Sequence, residues 1–373
     1  MEDLRGLIEE VAEKIERTPA SANVLIGFDG FIDEIIRLVD TRASATEYTA
    51  IPTIAEFGER ISAAAGLSCN IEMVPQQVKL GGNGPIMANS LACQGYGVTY
   101  VGALGAEGKV NPVFQEFADS CKEVISLCDP AHTDALEFND GKIMLGKMDT
   151  LPQVSWKNLL LQVSAAAMQE RLEQVELIGG VNWTMLTSMN SMLRGFSTLL
   201  AKCSSRAKVF IDLTDPRKRS KEDILEVLSI LTEMQAGADV VLGLNENESV
   251  QISEALFDYA SDSITDRAQL IRTKLGLFQV VIHPTRSAVV ASADGEWFLE
   301  GPYTQTPKLT TGAGDNFNAG YCNGLLSGLT PVQCLVAGVC SSGFYVRNCR
   351  SSSRTEMVGF MRQWAAVDGG DLP

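Results

Sequence analysis

The stretch Leu309–Gly320, LTTGAGDNFNAG, surrounds one carboxylate, Asp315, with three glycines and two alanines. The small residues at 312–314 let the backbone approach a ligand, and the following segment predicts a helix that begins near Asp315. Free N–H groups at such a helix start bind anions. A carboxylate there would repel the anion unless it takes a proton from a hydroxyl that attacks it. The stretch therefore favours phosphoryl transfer, with a plain N-cap role for Asp315 as the alternative.

The order of apolar segments predicts the architecture around this stretch. Short runs rich in Val and Ile alternate with segments of helical spacing, which predicts an α/β fold with a mostly parallel, doubly wound sheet. The strands are continuously apolar, as expected where helices cover both faces. The strand runs are ANVLIGF, VTYVGALG, VELIGGV, KVFIDL, ADVVLGL and FQVVIH, and helical segments include 155–173, 187–203, 220–233 and 265–275.

Two regions interrupt the alternation and predict a small separate sheet. DEIIRLVD with IEMVPQQVKL, and TDALEFNDGKIMLGKM, contain strands without intervening helices, and residues 139–141 have the Asn-Asp-Gly pattern of a hairpin turn. A helical insertion, IPTIAEFGERISAAAG, separates the first two. We expect a single core over residues 1–373, with appended strands at about 33–50, 70–80 and 132–149.

The composition excludes several classes of partner. Thirty Lys and Arg against 46 Asp and Glu give a net charge of −16, and the longest basic run is Arg217-Lys218-Arg219. Neither nucleic acid nor an anionic membrane is an expected partner, although a phosphorylated ligand needs only local donors. The nine cysteines form no CxxC pair, and the acidic amphipathic start has no apolar signal core. These features predict a reduced, cytoplasmic protein.

Four elements in order resemble the ribokinase-like, or PfkB-type, carbohydrate kinases. TTGAGDNF is similar to the second signature of that family, and Gly81-Gly82-Asn83-Gly84 is similar to the first. The strand IGFDGFIDEI resembles the one whose aspartate holds substrate hydroxyls, and Asn245 with Glu248 resembles the family's Asn-x-x-Glu element. The resemblance spans residues 24 to 360 and implies a doubly wound core with a small β-sheet lid over the acceptor.

The resemblance implies the roles of the acceptor and anion residues. Asp315 would be the general base, and the N–H groups of Gly312, Ala313 and Gly314 would stabilise the transferring phosphoryl group. Asp33 and Asp29 would bind acceptor hydroxyls, with a turn role before Gly30 as the alternative for Asp29. Gly81, Gly82 and Asn83 would contact the acceptor, with a plain capped turn as their alternative.

The resemblance also implies a nucleotide and a metal. ATP would bring Mg²⁺, positioned by Asn245 and Glu248, whose alternative role is helix capping. Thr311, His283 and Arg286 would join Asn245 at the nucleotide, with an exposed loop role as the alternative for Arg286.

Three positions depart from the family pattern. Leu309 replaces an aspartate linked to a monovalent cation, and because an apolar side chain cannot ligate K⁺, potassium activation is not expected. Ile86 replaces an asparagine and makes the acceptor edge less polar. The sequence HPTRSA at 283–288 replaces a glycine-rich turn beside the nucleotide.

Competing motifs are incomplete. GALGAEGKV has Ala103 where a Walker A loop begins with glycine and Val110 where Ser or Thr follows the lysine, and no GxGxxG follows a strand. The favoured hypothesis is an ATP- and Mg²⁺-dependent kinase for a hydroxyl of a sugar or sugar-like molecule. The alternatives are a nucleoside or ADP-dependent kinase of the same fold, or a non-catalytic sugar- or nucleotide-binding regulatory protein. A homodimer through the lid strands stays open.

Overall fold

The computed structural model describes residues 4–372 as alternating strands and helices. The strands are β1 Asn23–Gly27, β2 Phe31–Arg42, β3 Tyr48–Ala50, β4 Met73–Gly81, β5 Gly97–Gly102, β6 Glu123–Ser126, β7 Ala131–Glu137, β8 Lys142–Lys147, β9 Leu177–Gly180, β10 Lys208–Asp212, β11 Asp239–Leu244, β12 Gln279–Ile282, β13 Ser287–Ser292 and β14 Gly295–Glu300. The helices are α1 Leu4–Arg17, α2 Ile54–Ala63, α3 Asn83–Cys93, α4 Gln115–Ser120, α5 Trp156–Gln162, α6 Ala165–Leu172, α7 Met189–Leu200, α8 Lys221–Met234, α9 Glu246–Phe257, α10 Ile264–Leu275, α11 Ala313–Leu326, α12 Pro331–Asn348 and α13 Arg354–Ala365.

The main sheet confirms the predicted fold class. Its nine strands lie in the order β14-β13-β12-β11-β10-β9-β1-β5-β6. The strands from β12 to β6 pair in parallel, and β13 and β14 add an antiparallel edge. All six apolar runs identified as strands form part of this sheet, whereas β6, β13 and β14 were not predicted.

Helices cover both faces of the main sheet, which explains the apolar strands. Leu25 of β1 belongs to one buried cluster, together with apolar residues of α7 and α8. Its neighbours Val24 and Ile26 belong to a second cluster, which includes apolar residues of α3, α11 and α12. Successive side chains of one strand therefore enter two different cores, so no strand position in the middle of the sheet can be polar without cost.

A second sheet, called here the small sheet, consists of β2, β3, β4, β7 and β8. Strand β2 pairs antiparallel with β3 and β4 and parallel with β7, and β7 pairs antiparallel with β8. The hairpin predicted at 139–141 joins β7 to β8. The predicted insertion is α2, which lies beside a small apolar cluster that contains Ile36, Leu136 and Phe138.

The segment 155–173 differs from the prediction of one helix. Strand-like backbone at Val163 divides it into α5 and α6, and Ser164 caps α6 by accepting the N–H of Ala167 at 3.2 Å. A serine cap inside an apparently continuous pattern starts a new helix because its side chain replaces the helical hydrogen bond. Within residues 4–372, no helix is both long enough and apolar enough to cross a membrane.

Candidate active site

The two signature segments meet at the N-termini of α3 and α11. Asn83 is the first residue of α3, and its side-chain N–H donates to Asp315 Oδ1 at 2.9 Å across 232 positions of sequence. Both helix starts lie near the carboxyl ends of the parallel strands, where ligands bind in open α/β sheets. The structure thus brings Asn83 and Asp315 together in one cleft.

Asp315 is a buried carboxylate near other negative groups. It lies in the first turn of α11 and only 6% of its surface is exposed. Burial raises its pKa well above the ordinary value, and the negative charge of Asp212 raises it further. A raised pKa gives a carboxylate a higher affinity for a proton. The carboxylate must be ionised before it can accept one, and a bound cation that offsets the neighbouring negative charges favours the ionised form.

The start of α11 has the geometry of an anion site. Gly312 caps the helix with φ of 92°, in the left-handed region that glycine tolerates. Among the described residues, the N–H groups of Gly312 and Gly314 have no protein acceptor, whereas the N–H of Ala313 donates to Thr310 O at 3.1 Å. The N–H of Asp315 likewise has no protein acceptor among the described residues, so the amides of Gly312, Gly314 and Asp315 are available to a ligand.

Asp33 lies on β2, at the inner end of the small sheet. Its side chain is 7% exposed, and burial raises its pKa. A Cβ atom at Gly81, on the neighbouring strand, would collide with the Asp33 carboxyl group. Gly82 continues the chain into α3 with φ of 97°. The two glycines thus leave room for a buried carboxylate beside the helix start.

Asp29 holds the start of α3 in place. It is fully buried and accepts the N–H groups of Asn83 at 3.0 Å and Gly84 at 2.8 Å, and the Asn182 side chain at 2.5 Å. Burial raises its pKa to about 6. Both carboxylate oxygens bind protein donors, so the structure gives Asp29 a supporting contact with Asn83 instead of a free oxygen in the cleft.

A pocket of about 440 Å³ lies beside the start of α11. The predicted nucleotide residues Asn245, His283 and Arg286 line it, together with Gly314. Thr311 lies one residue beyond the lining residue Thr310, and its carbonyl oxygen accepts the hydroxyl of Tyr345 at 2.8 Å. The volume is within the range of small-molecule sites.

Two side chains that replace the glycine-rich turn make aromatic contacts at this pocket. The Arg286 guanidinium lies 3.8 Å from the centre of the Tyr303 ring, and the His283 ring lies 4.6 Å from that of Phe317. In the described part of the chain, His283 Nε2 is buried without a hydrogen-bond partner, and burial lowers the pKa of His283. Arg286 and His283 thus supply a cation and a neutral imidazole at a position where the family pattern has only the backbone of a glycine-rich turn.

Asn245 and Glu248 form a capping box at the start of α9. The Asn245 side chain accepts the Glu248 N–H at 2.9 Å, and the Glu248 carboxylate accepts the N–H groups of Asn245 at 2.8 Å and Asp215 at 2.9 Å. Burial, followed by the negative charge of Asp212, raises the pKa of Glu248 to about 8. The capping role expected as the alternative is therefore present, and the capping acid is buried.

Asp212 was not identified from the sequence. It ends β10, where its carboxylate accepts the side-chain N–H of Asn318 at 2.7 Å and the backbone N–H of Thr214 at 2.9 Å. No Lys or Arg within residues 4–372 forms an ion pair with Asp212, Glu248 or Asp315. A carboxylate at the carboxyl end of a parallel strand was the signal that could have identified it.

These carboxylates fit a divalent cation. The negative charge of Asp212 helps to raise the pKa of both Glu248 and Asp315, and oxygen ligands are the ones that Mg²⁺ prefers. The residues present therefore suit a magnesium ion near Glu248 and Asp212.

Of the two apolar replacements, Ile86 lies beside the anion site, whereas Leu309 makes a backbone contact with α12. The Leu309 N–H donates to Val346 O at 3.3 Å. A Cβ atom at Gly312 would lie 3.3 Å from Ile86 Cγ2, so Ile86 borders the space between α3 and α11. This side of the cleft is apolar.

We expect Glu248→Gln to flatten the pH dependence of stability. Folded Glu248 keeps its proton up to about pH 8 and the unfolded residue loses it near 4.5, so the unfolding free energy of the parent protein should fall as pH rises between these values. From pH 5 to 8 this contribution is up to about 4 kcal/mol. Urea unfolding without metal or nucleotide measures it. Glu246→Gln, an exposed change in the same helical turn, should keep the parental slope, and an equal slope in Glu248→Gln would contradict the raised pKa.

Comparisons with known proteins show which family this chain matches. The model of the prokaryotic ketohexokinase family matches residues 2–364. A ketohexokinase of Haloferax volcanii is 28% identical over 356 residues, which cover 94% of this chain and 93% of that protein.

Solved structures share the fold. A carbohydrate kinase from Agrobacterium tumefaciens superposes with a TM-score of 0.63 at 17% identity, covering 92% of this chain and 97% of that one. A ribokinase from Thermotoga maritima gives 0.62 at 16% identity, covering 91% and 98%. A ribokinase from Arabidopsis thaliana, solved with ribose and ATP, also gives 0.62 at 16%, covering 92% and 99%.

The fold and these matches define a carbohydrate kinase of the ribokinase-like, PfkB-type class, which confirms the resemblance seen in the sequence. Because the family model spans nearly the whole described chain, the protein belongs to the prokaryotic ketohexokinase family. The non-catalytic alternative is thereby set aside.

Proposed function

We propose that this kinase transfers the γ-phosphoryl group of ATP, with Mg²⁺, to a hydroxyl of a ketohexose. The family model and the Haloferax volcanii relative support the acceptor class through their names. The observation that carries the proposed chemistry is the contact of Asn83 with Asp315 beside the free amides of α11. In this arrangement Asp315 would be the proton acceptor and Asn83 an amide donor, beside a site for an anion.

In the proposed transfer, Asp315 accepts the proton of the attacking hydroxyl. The sugar oxygen forms a bond to the γ-phosphorus, the bond from that phosphorus to the β–γ bridging oxygen breaks, and ADP leaves. The N–H groups of Gly312 and Gly314 would stabilise the charge on the phosphoryl oxygens. The Ala313 N–H would join them only by leaving Thr310 O, to which it now donates.

The acceptor would lie between the small sheet and α3. Asp33 would accept hydrogen bonds from sugar hydroxyls, Gly81 and Gly82 would allow close approach, and Asn83 would donate or accept through its amide. Asp29 would act through Asn83 as a positioning residue. Because Asp33 lies on β2, we propose that the small sheet is a lid that excludes water when sugar binds.

The nucleotide would occupy the 440 Å³ pocket. Asn245, His283 and Arg286 would contact it, with Thr311 beside its phosphates, and Glu248 with Asp212 and Asn245 would hold the hydrated Mg²⁺. When bound, the ion neutralises charge on the nucleotide phosphates. The apolar Leu309 supports a reaction without potassium activation.

The state of the cysteines is consistent with a cytoplasmic protein. All nine cysteines are free thiols, as in a reducing compartment. We propose that the enzyme works there on a soluble sugar. Exposed apolar residues of the small sheet, Met73, Val78, Met144 and Leu145, support a homodimer through the strands of this sheet.

The test is a phosphorylation assay of the purified protein with Mg²⁺ and a panel of acceptors. ATP and ADP are each tried with D-fructose, other ketohexoses, aldohexoses, pentoses and adenosine. Turnover that is highest for a ketohexose with ATP supports the proposal. Preference for adenosine or for ADP would replace it with the nucleoside or ADP-dependent alternative.

We expect Asp33→Asn to raise the KM for sugar by about ten- to a hundredfold with little effect on the KM for nucleotide, because hydrogen bonds to an ionised group are lost. Gly81→Ala should act in the same direction by displacing the Asp33 carboxylate. Steady-state kinetics with each substrate varied measures both effects. Asp40→Asn, an exposed change at the far end of β2, is the matched control and should leave both KM values unchanged. A rise confined to the KM for nucleotide would refute the assignment.

A further inference from the structure

The small sheet carries a cluster of metal-ligating side chains outside the active-site cleft. Glu34 of β2 and His132 and Asp134 of β7 each offer one ligand atom, and these atoms lie within 4.8 Å of one another. His132 Nε2 lies 3.1 Å from Glu34 Oε2 and 3.3 Å from Asp134 Oδ1. We propose that these three side chains form a binding site for a divalent transition-metal ion of the zinc type.

The distances suit a tetrahedral ion. Zinc bonds of about 2.0 Å to nitrogen and oxygen place adjacent ligand atoms about 3.3 Å apart, close to the two separations from His132 Nε2. A neutral imidazole nitrogen has one proton or one lone pair, so Nε2 cannot make full hydrogen bonds to both carboxylates. An ion between the three atoms would satisfy all of them. One coordination position would stay open to water, since Glu34 and His132 are partly exposed.

The strand register holds the ligands in place. Strands β2 and β7 pair in parallel, with Glu34 beside Asp134 and Ile32 beside His132. The three ligands therefore project from the same face of two hydrogen-bonded strands. Asp33 and Thr133, the residues between them, point to the opposite face, so the ion would join the two strands behind the acceptor residue. Backbone pairing, instead of a loop, sets the spacing.

Lys147 of β8 is the competitor of the ion. Its ammonium group lies 2.8 Å from Asp134 Oδ2 and 3.0 Å from Oδ1, and its side chain is 59% exposed. The Asp134 side chain is only 9% exposed, so the pair is partly buried, but the lysine end is flexible and can turn into solvent when an ion replaces it beside Asp134. The imidazole ligand selects zinc-like ions over the Mg²⁺ expected beside the nucleotide, which prefers oxygen.

The test is titration of the full-length protein with Co²⁺ and Zn²⁺, without nucleotide, by calorimetry and by the visible spectrum of bound Co²⁺. We expect His132→Gln and Glu34→Gln each to weaken binding at least about tenfold. Lys147→Met should tighten it by at least about twofold, because the ammonium group no longer competes with the ion for Asp134. Glu137→Gln, which breaks a separate ion pair with Lys142 in the same hairpin, should leave the affinity unchanged.

Each outcome decides the proposal. The spectrum of bound Co²⁺ should lack the intense bands of thiolate ligation, which separates this site from the exposed cysteines Cys69, Cys93 and Cys349. Thiolate bands, or affinities that His132→Gln and Glu34→Gln leave unchanged, would overturn it. Unchanged or weaker binding in Lys147→Met would also count against it. Circular dichroism checks the fold of each variant, and the two ligand variants serve as replicates if one misfolds.

Discussion

Asp315→Asn should lower kcat by about 10²- to 10⁴-fold, the range that general-base catalysis contributes. The amide has the shape of the carboxylate and its oxygen can still accept the Asn83 N–H, so the cleft should stay assembled. It cannot take a proton from the sugar hydroxyl at neutral pH. The loss should therefore appear in kcat, with little change in the KM for sugar or nucleotide. Steady-state and single-turnover kinetics measure it.

The control for this variant is Asp258→Asn. Asp258 caps the end of α9 in left-handed backbone that asparagine also tolerates, and its side chain is exposed beside Lys221. Its kcat should equal that of the parent protein. Full turnover in Asp315→Asn would remove Asp315 from the mechanism, whereas a loss shared by both variants would indicate a general effect of charge.

Gly312→Ala should lower kcat by about 10²- to 10³-fold, the usual effect of losing one donor to a developing charge. A methyl group there would lie 2.7 Å from the Tyr345 hydroxyl, and φ is 92°. The backbone must shift to accept it, which misaligns the Gly312 and Gly314 amides. The same strain should lower the free energy of unfolding by about 1 kcal/mol or more. Kinetics and urea unfolding measure the two effects.

Gly328→Ala separates strain from catalysis. Gly328 follows the other end of α11 with φ of 68°, and an added methyl group meets no atom within 4 Å. It should lose about 1 kcal/mol of stability and keep the parental kcat. If Gly312→Ala and Gly328→Ala lost equal amounts of kcat, backbone strain alone would explain the loss. The proposed role of Gly312 in the anion site would then be refuted.

The fold was predictable because its signals are local. Each apolar run of the main sheet is bounded by turn residues, and helices cover both faces of the sheet. The strands can therefore be predicted without knowing which strands they pair with. Strand β13 was missed because residues 283–288, which overlap its start, were interpreted only as a turn beside the nucleotide, and β14 was not interpreted at all. The division between α5 and α6 was missed because the Ser164 cap lies within a pattern that otherwise continues.

The site was less predictable because its contacts join distant segments. The motif pattern alone made Asp29 a candidate for the acceptor, whereas the structure shows its oxygens turned to the first amides of α3. No local signal distinguishes these two orientations. The hydrogen bond from the Ala313 N–H to Thr310 O was unpredictable for the same reason, since it depends on the conformation of the turn at Thr310. Asp212 carried a usable signal at the end of β10 that the motif comparison did not contain.

The bridge between Asn83 and Asp315 also bears on how the enzyme comes into being during translation. Asp315, the proposed base, lies late in the chain, and α13 begins with Arg354, which donates to the carbonyl oxygens of Ile15 and Thr18 near the start of the protein. A nascent chain emerging from the ribosome therefore carries Asp33 and Asn83, the proposed sugar-binding residues, long before it carries the proposed base. With Asp315 as the proposed base, we expect catalytic competence to arrive in one late step, when α13 packs on α1.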